Sequence, residues 1–390
     1  MNRKPTLLIC QMLFMLCQIF SGKENSLGQW RGTNQIENGV TVINNPREPL
    51  WGKFKLDLRE DMAIGNENDP QYLFWSVKDI AIDVNGNVCV LDMRNHRIQR
   101  FDTRGKYLQS IGRHGQGPGE FQLPTIVRIN DRSGNIYVKD YIYSIVVFNK
   151  HGEHIKRLTL SDSIDDFIVD DNEDFVAILE KPDPVTLSAT QVLCKISPQG
   201  EVAEIYGEFP RPIYMNNSAG RGTSMITTGY ESSLYIAKLD EKAFVYGYSK
   251  KYELFIADWS GNVLFKIKRN LSPPGFTRKE RHALKKFRDL KSTPLEQKPY
   301  FFMIMCDSRG RIYVQKNLPR QMFAGKGAVD ISGKEVDVFS KDGYFLYETW
   351  LPANTFVIKE GFLYAYEMNE ETGLESIKRF KINNWEQMKE

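Results

Sequence analysis

A four-part pattern that returns after 48 residues constrains this chain more than any other feature. In its first copy, Asp79–Val84 leads through Gly86 into Asn87–Asp92. Asn95–Phe101, a turn at Asp102–Gly105 and Lys106–Ile111 follow. Each piece alternates apolar and polar residues and ends at Gly or Asn, as short strands joined by turns do. In the second copy Val127–Asn130 precedes Gly134, Asn135–Asp140 follows, then Ile145–Phe148, Gly152 and His154–Leu158. Gly86 to Gly134 spans 48 residues and Gly105 to Gly152 spans 47. The four strands are termed a, b, c and d.

Weaker copies are read further on. The third takes Asp166–Val169, Phe175–Ile178, Val192–Ile196 and Val202–Tyr206. The fourth takes Ser224–Thr227, Leu234–Ile236, Glu253–Ile256 and Val263–Ile267. The fifth takes Phe302–Met305, Ile312–Val314, Val336–Phe339 and Phe345–Glu348, and the sixth Phe356–Ile358, Phe362–Tyr364 and Ile377–Phe380. The sixth lacks a d strand. Lys53–Gly65 supplies one, because Gly65 stands nine residues before Phe74 just as Gly112 stands nine before Phe121. A period near 48 suits one four-stranded blade, and a ring closed by its own N-terminal strand leaves only short edges. The expected fold is all-β: a six-bladed β-propeller of four-stranded antiparallel blades, the last closed by the N-terminal strand, with one helical insertion between blades four and five. The expected boundaries are 1–22 signal peptide, 23–50 N-terminal extension, 51–384 propeller with the helical insertion at 275–292, and 385–390 C-terminal tail.

Gly86-Asn87, Asp92, Asn95-His96-Arg97-Ile98, Phe101, Gly105 and the linker Gly115–Phe121 closely resemble an NHL repeat. The whole chain is similar to exported bacterial six-bladed propeller proteins. The resemblance implies fold more than function. It makes Asp92 and Asp140 turn-bracing acceptors and gives His96 a place in the b–c turn. Related lactonases and lyases hold a central calcium or zinc, but the later copies here supply no matching ligand set.

The N-terminus begins with Arg3 and Lys4, and Thr6–Phe20 is uncharged and mostly apolar. That stretch is short of the ~20 residues a bilayer span needs, so it reads first as a secretory signal cut near Ser21 or Gly22, with an uncleaved anchor and a lipoprotein at Cys10 or Cys17, preceded by Ile9 and Leu16 rather than small residues, as the lesser readings. Without Arg3 and Lys4 the 52 basic residues become 50, against 49 acidic ones. Such a balance carries no global field for nucleic acid or for stable membrane attachment. Cys89, Cys194 and Cys306 show no metal-site spacing, and the first two sit in apolar alternation as small core residues.

The a–b and c–d turns are tight in nearly every copy, whereas the sizeable insertions fall in b–c and d–a connections: Lys181–Thr190, Pro210–Thr223, Asn270–Pro299 and Asn317–Lys334. One face, mainly over blades three to five, is therefore expected to carry function. Within Asn270–Pro299, Thr277 and Glu280 form a capping box ahead of a basic helix over 277–291 with the apolar stripe Ala283, Leu284, Phe287 and Leu290. The expected contacts are Arg94, Tyr141, Lys181, Tyr214, Arg221, Tyr246, Tyr248, Lys316 and Arg320, with Asp92, Asp140 and Lys238 at the channel mouth. Two functions stay open. One is a monomeric, exported, non-catalytic binding or scaffold module, periplasmic or at the cell surface, that needs no cofactor and recognises a protein, peptide or glycan of the cell envelope. The other is a calcium- or zinc-dependent lactonase- or lyase-like enzyme with its ion in the central channel.

Overall fold

The structure is a computed structural model that describes residues 30–183, 188–212, 214–217, 223–226, 229–284, 297–316 and 333–390. The signal-like segment 1–22 lies outside them. The chain first lays down β1 (Thr33–Glu37), β2 (Val40–Asn45) and β3 (Leu58–Ile64). Four strands of blade one follow: β4 (Val77–Ile82), β5 (Val88–Asp92), β6 (Arg97–Phe101) and β7 (Tyr107–Ile111). Blade two is β8 (Pro124–Ile129), β9 (Ile136–Asp140), β10 (Ser144–Phe148) and β11 (His154–Thr159). Blade three is β12 (Ser163–Val169), β13 (Phe175–Asp183), β14 (Ser188–Ile196) and β15 (Val202–Pro212). A separate hairpin, β16 (Tyr214–Asn217) with β17 (Thr223–Ile226), precedes blade four: β18 (Leu234–Lys238), β19 (Ala243–Tyr248), β20 (Glu253–Asp258) and β21 (Val263–Arg269). After α1 (Arg278–Leu284) comes blade five, β22 (Met303–Cys306), β23 (Ile312–Gln315), β24 (Lys334–Phe339) and β25 (Phe345–Leu351). Blade six is β26 (Thr355–Lys359), β27 (Phe362–Met368) and β28 (Glu375–Ile382), completed by β3. Every neighbouring pair within a blade is antiparallel, and the fold is a six-bladed β-propeller.

Alternation puts the apolar side chains of each sheet against its neighbours, so the core is a series of wedges between blades. Met62 and Ile64 of β3 pack with Ile80, Val88 and Phe101 of blade one and Tyr364 and Ile377 of blade six, which welds the closing seam. Cys89 and Cys194 are buried in such wedges, and burial pushes both thiols up to about 12.

Blade four departs from the expected reading. Leu234–Lys238 is its a strand and Ala243–Tyr248 its b strand; Ser224–Ile226 belongs to the separate hairpin. The a–b turn carries no glycine. The Asp240 carboxylate shapes it instead, accepting from the amides of Lys242 (2.8 Å) and Ala243 (3.0 Å), so the usual punctuation is missing from the sequence.

The N-terminal stretch forms a strap. β2 adds in parallel to the outer edge of β21 in blade four, with Thr41 opposite Phe265. Asn45 then bridges to blade five, donating to the Gly343 carbonyl and accepting from the Phe345 amide, both at 2.8 Å. Leu50, Trp51 and Phe54 donate backbone bonds to Phe345, Leu346 and Glu348 of β25. Finally β3 pairs with β28, with Ile64 opposite Ile377. At the other end Trp385 and Met388 are buried against blades five and six, and the Arg311 guanidinium lies 4.0 Å from the Trp385 ring centroid.

Candidate functional site

The six a strands surround a central cavity of about 680 Å³. Four of them, β4, β8, β12 and β26, break register at Val77/Asp79, Pro124/Ile126, Ile164/Asp166 and Thr355/Val357, near where each strand begins. A bulge inserts one residue and re-aims its neighbours. Behind three of these bulges Arg128 of blade two is clamped between Asp79 of blade one at 2.6 Å and Asp166 of blade three at 3.0 Å.

At the a–b end the channel is spanned by charge. Lys359 of blade six meets Asp131 of blade two at 2.9 Å, and Lys238 of blade four meets Asp171 at 2.6 Å and Asp131 at 3.9 Å. Asp131 thus draws lysines from two other blades across the opening. The b–c end carries a polar cluster over blade three. Arg211 pairs with Glu180 at 2.6 Å and Asp165 at 3.2 Å, while Gln191 donates to Asp165 at 2.7 Å. Burial pushes the Glu180 carboxyl above the ordinary range, with Arg211 pulling against it. Charges bound this tightly to one another rigidify the mouth.

The same end exposes large apolar side chains on consecutive blades. Met368 of blade six is 44% exposed, and Trp75, in the linker into blade one, is 61% exposed. Leu123 and the run Tyr141, Ile142 and Tyr143 of blade two are exposed as well. The Leu123 carbonyl accepts from the Tyr141 amide at 2.9 Å, and Arg94 sits 5.8 Å from the Trp75 ring centroid, so each of these two pairs adjoins on that face. Tyr141 holds φ at 59°, a left-handed conformation that a bulky residue seldom adopts. On the opposite face, among the described a–b and c–d turns, Val84 is the large apolar residue left exposed.

The expected site residues are scattered by this geometry. Arg94 lies beside exposed Trp75, and Tyr141 is itself exposed, on the same face. Lys181 stands at the end of β13, 4.0 Å from Asp162. Lys316 is held by Asp337 at 2.8 Å and Glu348 at 2.9 Å. Tyr246 is a buried b-strand residue stacked on Phe255, with ring centroids 4.9 Å apart, and faces no solvent on that side. Tyr248 donates to the Pro210 carbonyl. Tyr214 belongs to β16, and Arg221 and Arg320 lie outside the described residues. Asp92 and Asp140 do not reach the channel mouth. Both are fully buried; Asp92 accepts from the Trp75 amide at 2.9 Å and Asp140 from the amides of Gln122 and Leu123. Lys238 does reach the channel, but at the a–b end. Trp75, Leu123, Ile142, Tyr143 and Met368 were not anticipated. The run Tyr141-Ile142-Tyr143 was a legible signal, since an apolar run where a b–c turn belongs has no folding reason to be there.

Among the described residues no group of three or more His, Cys, Asp or Glu stands close enough to hold a metal ion. No described helix is long and apolar enough to cross a membrane.

Residues 69–186 match the model of a family described as a 6-bladed beta-propeller. A crystal structure of a Bacteroides fragilis protein classed as exported superposes with a TM-score of 0.53 at 12% identity, over 85% of this chain and 99% of that one. A Xanthomonas campestris gluconolactonase gives a TM-score of 0.43 at 12% identity, over 83% and 98% of the two chains. At such identity the first likeness speaks to fold alone, and the second carries nothing further. Among curated proteins, the Drosophila melanogaster protein brain tumor is 27% identical over 86 residues. That segment is 22% of this chain and 8% of that protein.

The helical insertion is pinned beside blades four and five by Glu280. Its carboxylate closes the capping box, accepting from the Thr277 amide at 2.7 Å, and also takes the Tyr230 hydroxyl and the Lys298 ammonium at 2.7 Å each. Burial opposes its ionisation, but these donors outweigh burial and hold it at about 2, below the ordinary 4.5. A folded-state value below the unfolded one gives stability that is present above pH 4.5 and lost as pH falls towards 2. The melting temperature of wild type will therefore exceed that of Glu280→Gln at pH 6, and the gap will narrow at pH 4 and close at the lowest pH. A gap that does not change with pH would show that Glu280 is not the anchor.

Proposed function

We propose that this chain is an exported, non-catalytic binding module that captures a protein or peptide partner on its b–c/d–a face, over blades six, one and two. One observation carries the reading: large apolar side chains are left in solvent on that face, while the opposite turns are tight and polar. Monomeric soluble proteins rarely expose contiguous apolar patches without a use for them. Trp, Tyr and Arg are also the residue types on which binding energy concentrates. Trp75, Tyr141 and Arg94 meet that description, and the interlocked ion pairs of the channel give them a rigid base. The signal-like start of the sequence supports an envelope setting.

The test is site-specific photo-crosslinking in the native host. A benzoylphenylalanine at Tyr141 should give a discrete protein adduct, and one at Val84 on the other face should give none. In the first variant, Trp75→Ala should cut adduct yield at least tenfold, since a central aromatic anchor is worth about 2 kcal/mol or more. Equal adducts from both faces, or none from Tyr141, would sink the assignment.

A further inference from the structure

A buried lysine in the central cavity stands apart from every other charge there. Lys334 begins β24 and is 9% exposed, and its side chain lines the cavity with Met303, Gln315, Thr355 and Tyr366. Its ammonium donates to the Thr355 carbonyl at 2.9 Å and lies 3.7 Å from the Met303 sulfur. An ammonium has three N–H groups, so one donor remains for another acceptor. Neighbouring charges are committed elsewhere: Lys316 to Glu335, Asp337 and Glu348, the Tyr366 hydroxyl to Glu375, and Arg128 to Asp79 and Asp166. Among the described residues, no carboxylate comes within ion-pair range of Lys334.

A buried charge without a counter-ion is costly, and the protein meets that cost by loosening the proton: burial pulls the Lys334 amine down to about 8. The surrounding wall combines the apolar side chains of Ile80, Val127, Ile168, Ile236, Met305 and Val357 with charges already paired, Arg128 with Asp79 and Asp166, and Lys238 and Lys359 with Asp131. Its volume of about 680 Å³ is that of a small-molecule site. Lys334 stands at the b–c end of the cavity, at the start of β24, while Asp131 and its lysines span the a–b end.

We propose that the central cavity binds an amphiphilic carboxylate, an apolar body with one anionic head, and that Lys334 is its counter-ion. This goes beyond the partner-binding face and does not depend on it. A carboxylate there supplies the missing charge and the missing acceptor together, while the chain or ring of the ligand covers the apolar part of the wall.

The test is calorimetric titration of the whole protein with octanoate and with octanamide, which matches it in shape but carries no charge. At pH 7 octanoate should bind at least tenfold more tightly than octanamide. At pH 9.5 Lys334 has lost its proton while octanoate stays ionised, so the preference should disappear. Lys334→Met keeps an unbranched side chain one heavy atom shorter, removes the charge, and should bind both probes alike with no loss of melting temperature. Because the pH comparison uses the unaltered protein, it stands even if the variant folds poorly. Equal binding of the two probes at pH 7, a preference that persists at pH 9.5, or no heat from octanoate in the millimolar range would each overturn the proposal.

Discussion

Removing residues 51–64 will leave a protein that no longer unfolds in one cooperative transition. The excised stretch holds β3, the d strand of blade six, together with Leu56, Met62 and Ile64, all buried. Each such side chain contributes about 1.5–3 kcal/mol by burial, and a whole domain is stable by only about 5–15 kcal/mol. The deletion also exposes the edge of β28 and the blade-one wedge containing Ile80 and Phe101. A ring opened at one seam turns its blades into a stack in which each touches only its neighbours, so melting should broaden and spread over several steps. Differential scanning calorimetry decides the matter. A single sharp transition at the wild-type temperature would mean that the ring does not rely on its N-terminal strand.

Asp337→Ala should destabilise the protein by about 3–5 kcal/mol, the range for breaking a buried ion pair from one side. Asp337 is fully buried on β24 and receives Arg269 of blade four, Lys316 of blade five and the Tyr252 hydroxyl. Arg269 is itself buried, stacks on the Phe345 ring with its centroid 3.9 Å away, and donates to the Arg47 carbonyl of the strap. Removing the carboxylate strands a guanidinium between two blades. Tyr252→Phe deletes one hydrogen bond of the same network and should cost only about 1–2 kcal/mol. Denaturant titration of both variants measures the contrast. An Asp337→Ala loss below that of Tyr252→Phe would show that the carboxylate is not the hub.

The blade pattern was legible where turns announce themselves. In blades one and two the a–b turns are built on Gly86 and Gly134, which hold φ at 80° and 75°, and the strand boundaries fall close to where periodicity puts them. In blade four the Asp240 turn carries no such mark, and Ser224–Ile226 mimicked the missing strand by alternation alone. Residues 33–45 were unreadable for another reason: β2, which carries β1 on its free edge, pairs with β21, more than 200 residues away, which no local window contains. The site was less legible than the fold. Charge at a strand end drew attention to Asp92, Asp140 and Lys316, yet each is spent on neighbours within the protein. What sets Trp75 and Lys334 apart is the lack of a neighbour among the described residues, apolar cover for the one and a counter-ion for the other, and only the packed structure shows that.

The strap also fixes the order of events at synthesis. Asn45 takes its partners 298 and 300 residues downstream, and Asp57 takes Asn384, 327 residues away. The strap is therefore made before the strands that hold it in place. Contacts so distant along the chain are slow to form. β2 can dock once β21 of blade four is made, but β3 has no partner until β28 of the final blade emerges.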